Sequence, residues 1–315
     1  MRDRKQIIRA VVLGHAVGDA LGVPVEFCER DELDETPVTD MLGYGTYPYP
    51  AGCWSDDTSM SLAALDSLAS GKLDFDDIML KLSEWYYRDA YTPTGETFDM
   101  GNTCSCAIEN YTDGKKSVEQ CGLTGERSNG NGSLMRIHPF ALMAYYTDWK
   151  DNWESVIDKA SALTHAHARS KLACKIYTQI LFSIFDDPCK DAIRRALHAA
   201  YDRYNASEEF EHYARLLSPD FEKSSREAIQ SSGYVVATLE AAVWCLLTTD
   251  SYSECVLKAV NLGDDTDTVA AIAGGLAGAL YGYDAIPKKW LDVLRRRAYI
   301  EDMCDRADQA FVKKI

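Results

Sequence analysis

Residues 261–282 read NLGDDTDTVAAIAGGLAGALYG, and this stretch divides into two parts. The second part is apolar and uninterrupted by proline, with glycines at 274, 278 and 282. A spacing of four puts all three on one face of a helix. An interior helical glycine costs about 0.5–1 kcal/mol relative to alanine. Another backbone lying close against the stripe would offset that cost. Gly14, Gly18 and Gly22 repeat the same spacing near the N-terminus, in GHAVGDALG. We expect two central helices in close backbone contact, the two stripes against each other being one such arrangement. The membrane form of such a stripe is excluded by the charged residues around it.

Helical periodicity dominates the rest of the chain. Residues 4–21, 56–70, 75–88, 133–146, 152–164, 167–185, 189–204, 234–249, 252–261, 266–282 and 288–312 read as helices. The segment 234–247 is apolar nearly all round, which suits a helix at the centre of a globule. No segment alternates as a strand does. The expected fold is all-α, and 315 residues suffice for a full core. Nothing forces a boundary within residues 1–315, so a single domain is expected. Three stretches resist helix assignment: 36–54, 90–101 and 112–132. Long loops inside a compact domain tend to be functional.

The formal net charge is −16, which disfavours nucleic acid and anionic membranes as general partners. An anionic ligand would need backbone amides, a metal or an arginine. The ten cysteines include no C-x-x-C, a pattern suited to reduced thiols in the cytoplasm. Arg9, His15 and Asp19 interrupt the N-terminal apolar run, so it reads as neither a signal peptide nor a membrane span.

The first part of the opening stretch, Asp264-Asp265-Thr266-Asp267-Thr268, has a counterpart in Ser55-Asp56-Asp57-Thr58. Either run alone reads as a helix cap, with acids suited to the helix dipole. Four or five oxygen-bearing side chains in a row are more than a cap uses. Packed carboxylates also repel one another unless a cation lies between them. With oxygen ligands and no His or Cys, the composition selects Mg²⁺ or Mn²⁺ over Zn²⁺. Five or so carboxylates can hold two ions. Asn129-Gly130-Asn131-Gly132-Ser133 reads as a turn and cap, or as a cradle whose N–H groups and following helix meet a diphosphate. His165 and His167 form an H-x-H without a third ligand and make a poor metal site. The aromatics Tyr44, Tyr47, Tyr49 and Trp54 read mostly as loop packing.

The motifs GHAVGDALGVPVEF (14–27), PAGCWSDDTSM (50–60), FDMGNT (98–103), GNGSLMR (130–136) and the opening stretch occur in that order. Together they resemble the ADP-ribosylglycohydrolase family, which includes the dinitrogenase reductase-activating glycohydrolases and the ADP-ribosyl-acceptor hydrolases. The resemblance implies an orthogonal all-α bundle with a binuclear Mg²⁺ or Mn²⁺ centre. It implies metal ligands at Ser55, Asp56, Asp57, Asp265, Asp267 and Thr268, with Ser55 in place of a more usual Thr and Asp264 where Gly is common. It further implies a base or substrate-orienting role for Asp99, an acid or gating role for Glu26, and a substrate contact near His165.

The implied reaction is hydrolysis at C1″ of ADP-ribose joined to a protein or small-molecule acceptor, with ADP-ribose as product. Arginine is the first expectation for the acceptor; ADP-ribosylserine, O-acetyl-ADP-ribose, a modified nucleic-acid end and a small guanidine are the others. A rival reading is an isoprenoid synthase, also helical and Asp-rich. That enzyme type needs acids one turn apart on a helix face, where Met60 stands four residues after Asp56. A second rival is a crystallin-like or ADP-ribose-binding relative without activity, against which the complete set of candidate ligands speaks.

Overall fold

A computed structural model describes residues 3–312. Among them are fifteen α-helices and no strand. In order these are α1 (Arg4–Gly22), α2 (Arg30–Glu35), α3 (Asp56–Leu68), α4 (Phe75–Arg88), α5 (Asn102–Thr112), α6 (His138–Tyr146), α7 (Trp153–Ala162) and α8 (Ala168–Asp186). They continue as α9 (Lys190–Tyr204), α10 (Phe210–Tyr213), α11 (Val235–Leu247), α12 (Tyr252–Val260), α13 (Thr266–Tyr281), α14 (Lys288–Val293) and α15 (Arg297–Ala310). Buried apolar side chains from Ile7 to Phe311 form one connected cluster.

The centre of the bundle is α1 against α13, with α11 and α12 packed on α13 and α15 on α1. The two glycine stripes meet each other. A Cβ on Gly14 would lie 2.5 Å from the Gly274 carbonyl oxygen, and one on Gly18 would lie 2.0 Å from that of Ala270. In return, a Cβ on Gly278 would lie 2.0 Å from the Ala10 carbonyl oxygen. Gly282 departs from the expectation. It has φ +89° and nothing within 4 Å of its Cβ position, so it ends α13 rather than packing it. The stretch Arg4–Val25 is long and apolar enough on average to cross a membrane, yet 94% of its apolar window is buried inside the bundle.

Three other departures have local causes. The helix expected over 133–146 starts only at His138, because residues 132–136 form a turn closed by Met135 N–H on the Asn131 carbonyl. The helix expected over 288–312 breaks at 294–296. There Arg295 N–H bonds to the Gly52 carbonyl at 2.9 Å and Arg296 takes φ +49°. Helix α5 falls in a stretch assigned to no element; its first turn, Asn-Thr-Cys-Ser, has weak helical propensity, and burial of Cys104, Ala107 and Ile108 holds it.

Candidate active site

The close seam between α1 and α13 sets the site. A Cβ on Gly22 would lie 2.3 Å from the Cα of Asp267, so α1 ends against the first turn of α13. Asp19, one turn earlier in α1, points to the start of α3. Its Oδ1 accepts the Ser55 N–H at 2.8 Å, and its Oδ2 accepts the Thr58 N–H at 3.0 Å and O–H at 2.6 Å. Ser55 itself accepts the Asp57 N–H at 3.3 Å. The N–H groups of Ser55, Asp57 and Thr58 at the start of α3 are therefore met by Asp19 and Ser55. Asp56 and Asp57 are left for other work.

At α13 the capping reading fails more plainly. The N-cap Asp265 makes no side-chain cap bond and accepts instead from Asn131 Nδ2 at 2.7 Å. Asp267 Oδ1 takes the neighbouring Thr268 N–H at 2.8 Å. Thr268 Oγ1 then donates to Asp57 Oδ2 at 3.2 Å, which joins the two helix starts.

Two groups of carboxyl oxygens result, each with its members within 4.8 Å of one another: Asp19, Asp57 and Asp267, and Glu26, Asp99 and Asp267. Asp56 and Asp265 line the adjoining pocket. Asp57 and Asp267 have no exposed surface, and Glu26 has 4%. Burial pushes every one of these carboxyls above its usual range. Asp19 rises to about 7, against the pull of its bonds to Thr58 and Ser55. Glu26 rises to about 9, with the charges of Asp99 and Asp265 adding to burial. Asp57 Oδ1, Asp267 Oδ2 and Glu26 Oε2 are buried without a hydrogen-bond partner. Stranded carboxylate oxygens this close are costly by themselves. A hard divalent cation satisfies them, and an all-oxygen donor set fits Mg²⁺ or Mn²⁺.

The pocket beside the cluster has a volume of about 410 Å³ and is lined by Gly130, Asn131, Gly132, His165 and Arg127, among others. Backbone bonds pin its loop in place. Asn131 N–H reaches the Gly233 carbonyl at 3.0 Å, and Leu123 N–H reaches that of Thr164 at 2.8 Å. The expected cradle is thereby narrowed. Ser133 is fully buried with its Oγ accepting from Ser161, and the Asn129 carbonyl oxygen Oδ1 accepts from Ser170 at 2.9 Å. Neither residue lines the pocket: the turn that replaces the expected helix start carries Ser133 into the core, and the bond from Ser170 holds the Asn129 side chain. Contrary to expectation, α6 does not start directly after the loop but at His138.

His165 lines the pocket, as expected, with 2% exposure. Burial, with help from Arg136, pulls its pKa down to about 3, so the ring is neutral. Arg136 donates to Thr164 Oγ1, which pairs with His165 Nδ1 at 2.8 Å. If the Thr164 hydroxyl hydrogen goes to Nδ1, the ring proton sits on Nε2, which lies 3.6 Å from a Cβ placed on Gly130. His167 instead caps α8 and faces Glu126.

Three residues escape a reading of the sequence. Asp19 left only the faint signal of an acid inside an apolar helix. Tyr47, expected to be loop packing, donates its O–H to Asp99 Oδ1 at 3.0 Å. Arg127 is the only Lys or Arg lining the pocket among the described residues.

A sequence profile described as ADP-ribosylglycohydrolase matches residues 1–314. The chain is 34% identical over 303 residues to the ADP-ribosylarginine hydrolase Tri1 of Serratia proteamaculans (strain 568), covering 95% of this chain and 78% of that protein. It is 32% identical over 290 residues to the ADP-ribosyl-[dinitrogen reductase] glycohydrolase of Rhodospirillum rubrum, covering 90% and 88%. Among solved structures, an ADP-ribosylglycohydrolase-related protein complex aligns with a TM-score of 0.83 and 28% identity, over 99% of this chain and 100% of that one.

Proposed function

From the premise that the chain belongs to the ADP-ribosylglycohydrolase family, we propose that it hydrolyses the C1″ N-glycosidic bond joining ADP-ribose to an arginine of an acceptor. The observation that carries the reading is the meeting of the two acidic helix starts, with stranded oxygens on Asp57, Asp267 and Glu26. The relatives named for arginine-linked and dinitrogen-reductase-linked ADP-ribose support the choice of acceptor.

Ser55, Asp56, Asp57, Asp265, Asp267 and Thr268 are the residues to hold two Mg²⁺ or Mn²⁺ ions, which would supply the positive charge that fixes a ribose diol and polarises water. The Gly130–Gly132 backbone, with Arg127 at the rim, suits the diphosphate. Water attacks C1″, the bond from C1″ to the guanidine nitrogen breaks, and that nitrogen takes up a proton. The carboxylates around C1″ favour the positive charge that develops there. Glu26 and Asp99 border Asp267 and are the groups placed to move the proton, with Asp99 steadied by Tyr47.

The test is release of ADP-ribose from arginine-, serine- and O-acetyl-linked substrates, with Mg²⁺ and Mn²⁺ compared and a chelator as control. Metal-dependent release from the arginine substrate is expected. Absence of release from all three would leave an inactive binder, and tight binding of isopentenyl diphosphate without ADP-ribose binding would restore the isoprenoid reading. Free ADP-ribose with metal should also stabilise the fold, by about 2.7 kcal/mol at a hundredfold excess over Kd.

The cradle has its own test in Gly132→Ala. The added methyl would lie 2.7 Å from Cys104 Sγ and 2.9 Å from His165 Cε1, so either the loop or these two side chains must shift. ADP-ribose affinity by calorimetry should fall about tenfold or more. An unchanged Kd would put the diphosphate elsewhere.

A further inference from the structure

We propose that Phe27 and Asp264 form an acceptor subsite that receives a planar cation, the guanidinium of the modified residue; the inference rests on the arginine reading above. Both residues line the active-site pocket. Phe27 is 63% exposed, an apolar ring open to solvent at the mouth of a polar site. Asp264 is also exposed, and its carboxylate has no hydrogen bond or ion pair among the described residues. Of the pocket-lining carboxylates among the described residues, Glu26, Asp56 and Asp265 are buried and the half-buried Asp99 accepts from Tyr47, which leaves Asp264 free to meet a ligand at the rim.

The backbone fixes the two residues together. Phe27 N–H donates to the Asp264 carbonyl at 2.7 Å, and Asp264 N–H donates to the Cys28 carbonyl at 2.9 Å. Both residues take the left-handed conformation, with φ +65° and +64°. A bulky non-glycine residue rarely does so, and the paired bonds are what hold it there. The consequence is that the two side chains start from backbone positions held next to each other.

Their place in the chain sets them next to the carboxylate cluster. Phe27 follows Glu26 and Asp264 precedes Asp265, so the pair stands at the carboxylate end, where the scissile carbon lies in the proposed reaction. The Gly130–Gly132 turn and Arg127 mark the diphosphate part of the pocket. A guanidinium stacks on an aromatic face and pairs with a carboxylate through its N–H fork. A serine or acetyl acceptor, being neutral, gains from neither. Asp264 also lines an adjoining open groove of about 480 Å³, which offers the polypeptide carrying the arginine a path away from the pocket.

The experiment uses the full chain loaded with Mg²⁺ or Mn²⁺ and two readouts. The first is binding of agmatine, a small guanidine, to the protein saturated with ADP-ribose. Agmatine should bind, with affinity lowered about tenfold by Phe27→Ala or by Asp264→Asn and regained in Phe27→Tyr. The second is the ratio of kcat/KM for arginine-linked over serine-linked ADP-ribose, which should fall by a similar factor in the same variants. Agmatine binding that is absent, or equal in wild type and variants, overturns the subsite. Equal losses on both substrates together with weaker ADP-ribose binding overturn it too, and would put the Phe27 ring over the adenosine instead. Wild-type protein that cleaves no arginine-linked substrate yet binds agmatine through this pair would refute the arginine reading and leave the cation subsite standing.

Discussion

Asp267→Ala is expected to lower turnover by about a thousandfold or more at saturating metal, with the helical fold kept. Asp267 is the one residue common to both groups of clustered carboxyl oxygens, and its Oδ2 is buried without a partner. Its other oxygen bonds only to the N–H of the next residue, Thr268, so little of the fold depends on it. Removing one of several mutually repelling buried carboxylates also relieves the metal-free protein. Its melting midpoint without metal should therefore match or exceed that of the wild type. The rise in midpoint on adding Mg²⁺ or Mn²⁺ should disappear. Wild-type turnover by this variant would show that the centre does not lie between the two acidic helix starts. A large loss of metal-free stability would show that Asp267 is a structural residue.

Gly278→Leu is expected to have the largest effect on stability. Even the first carbon of a side chain would lie 2.0 Å from the Ala10 carbonyl oxygen and 2.8 Å from its carbon. Both are backbone atoms, so no side chain can swing aside. Helices α1 and α13 would have to separate along the seam. We expect a loss of more than about 3 kcal/mol from overpacking, a large part of the about 5–15 kcal/mol that holds a typical domain folded. Any folded fraction should bind metal poorly, because the same seam holds Gly22 against Asp267. Gly125→Ala is the control. Its Cβ would meet only Ser128 Oγ at 3.7 Å, and its effect should stay within about 0.5 kcal/mol. An unchanged urea midpoint for Gly278→Leu would contradict the close seam.

Much of the site was legible because its parts are local. An acid-rich start on an apolar helix is visible in a few residues, and the misfit between four or five oxygens and the needs of a cap is a count. A glycine every fourth residue signals a close backbone neighbour. The second helix with the same spacing offered the partner. Errors clustered where the deciding contact comes from far along the chain. Asn129 and Ser133 carry the right residue types for a phosphate cradle, yet Ser170 and Ser161 draw their side chains inward. Tyr47 looked like packing because its partner, Asp99, lies 52 residues away.

By itself the sequence determined the helical class, the two acidic helix starts and the two glycine stripes that call for a close backbone neighbour, since each follows from periodicity or from residue chemistry within a turn or two. The tertiary structure alone decided that Asp19 would hold the start of α3 from the last turn of α1. It also decided which oxygens are left stranded, and that Phe27 stands exposed beside Asp264. Those outcomes depend on how closely α1 approaches α13 and on where the loops between helices return. They are set by contacts between residues more than 30 positions apart in the chain, and no local pattern records them.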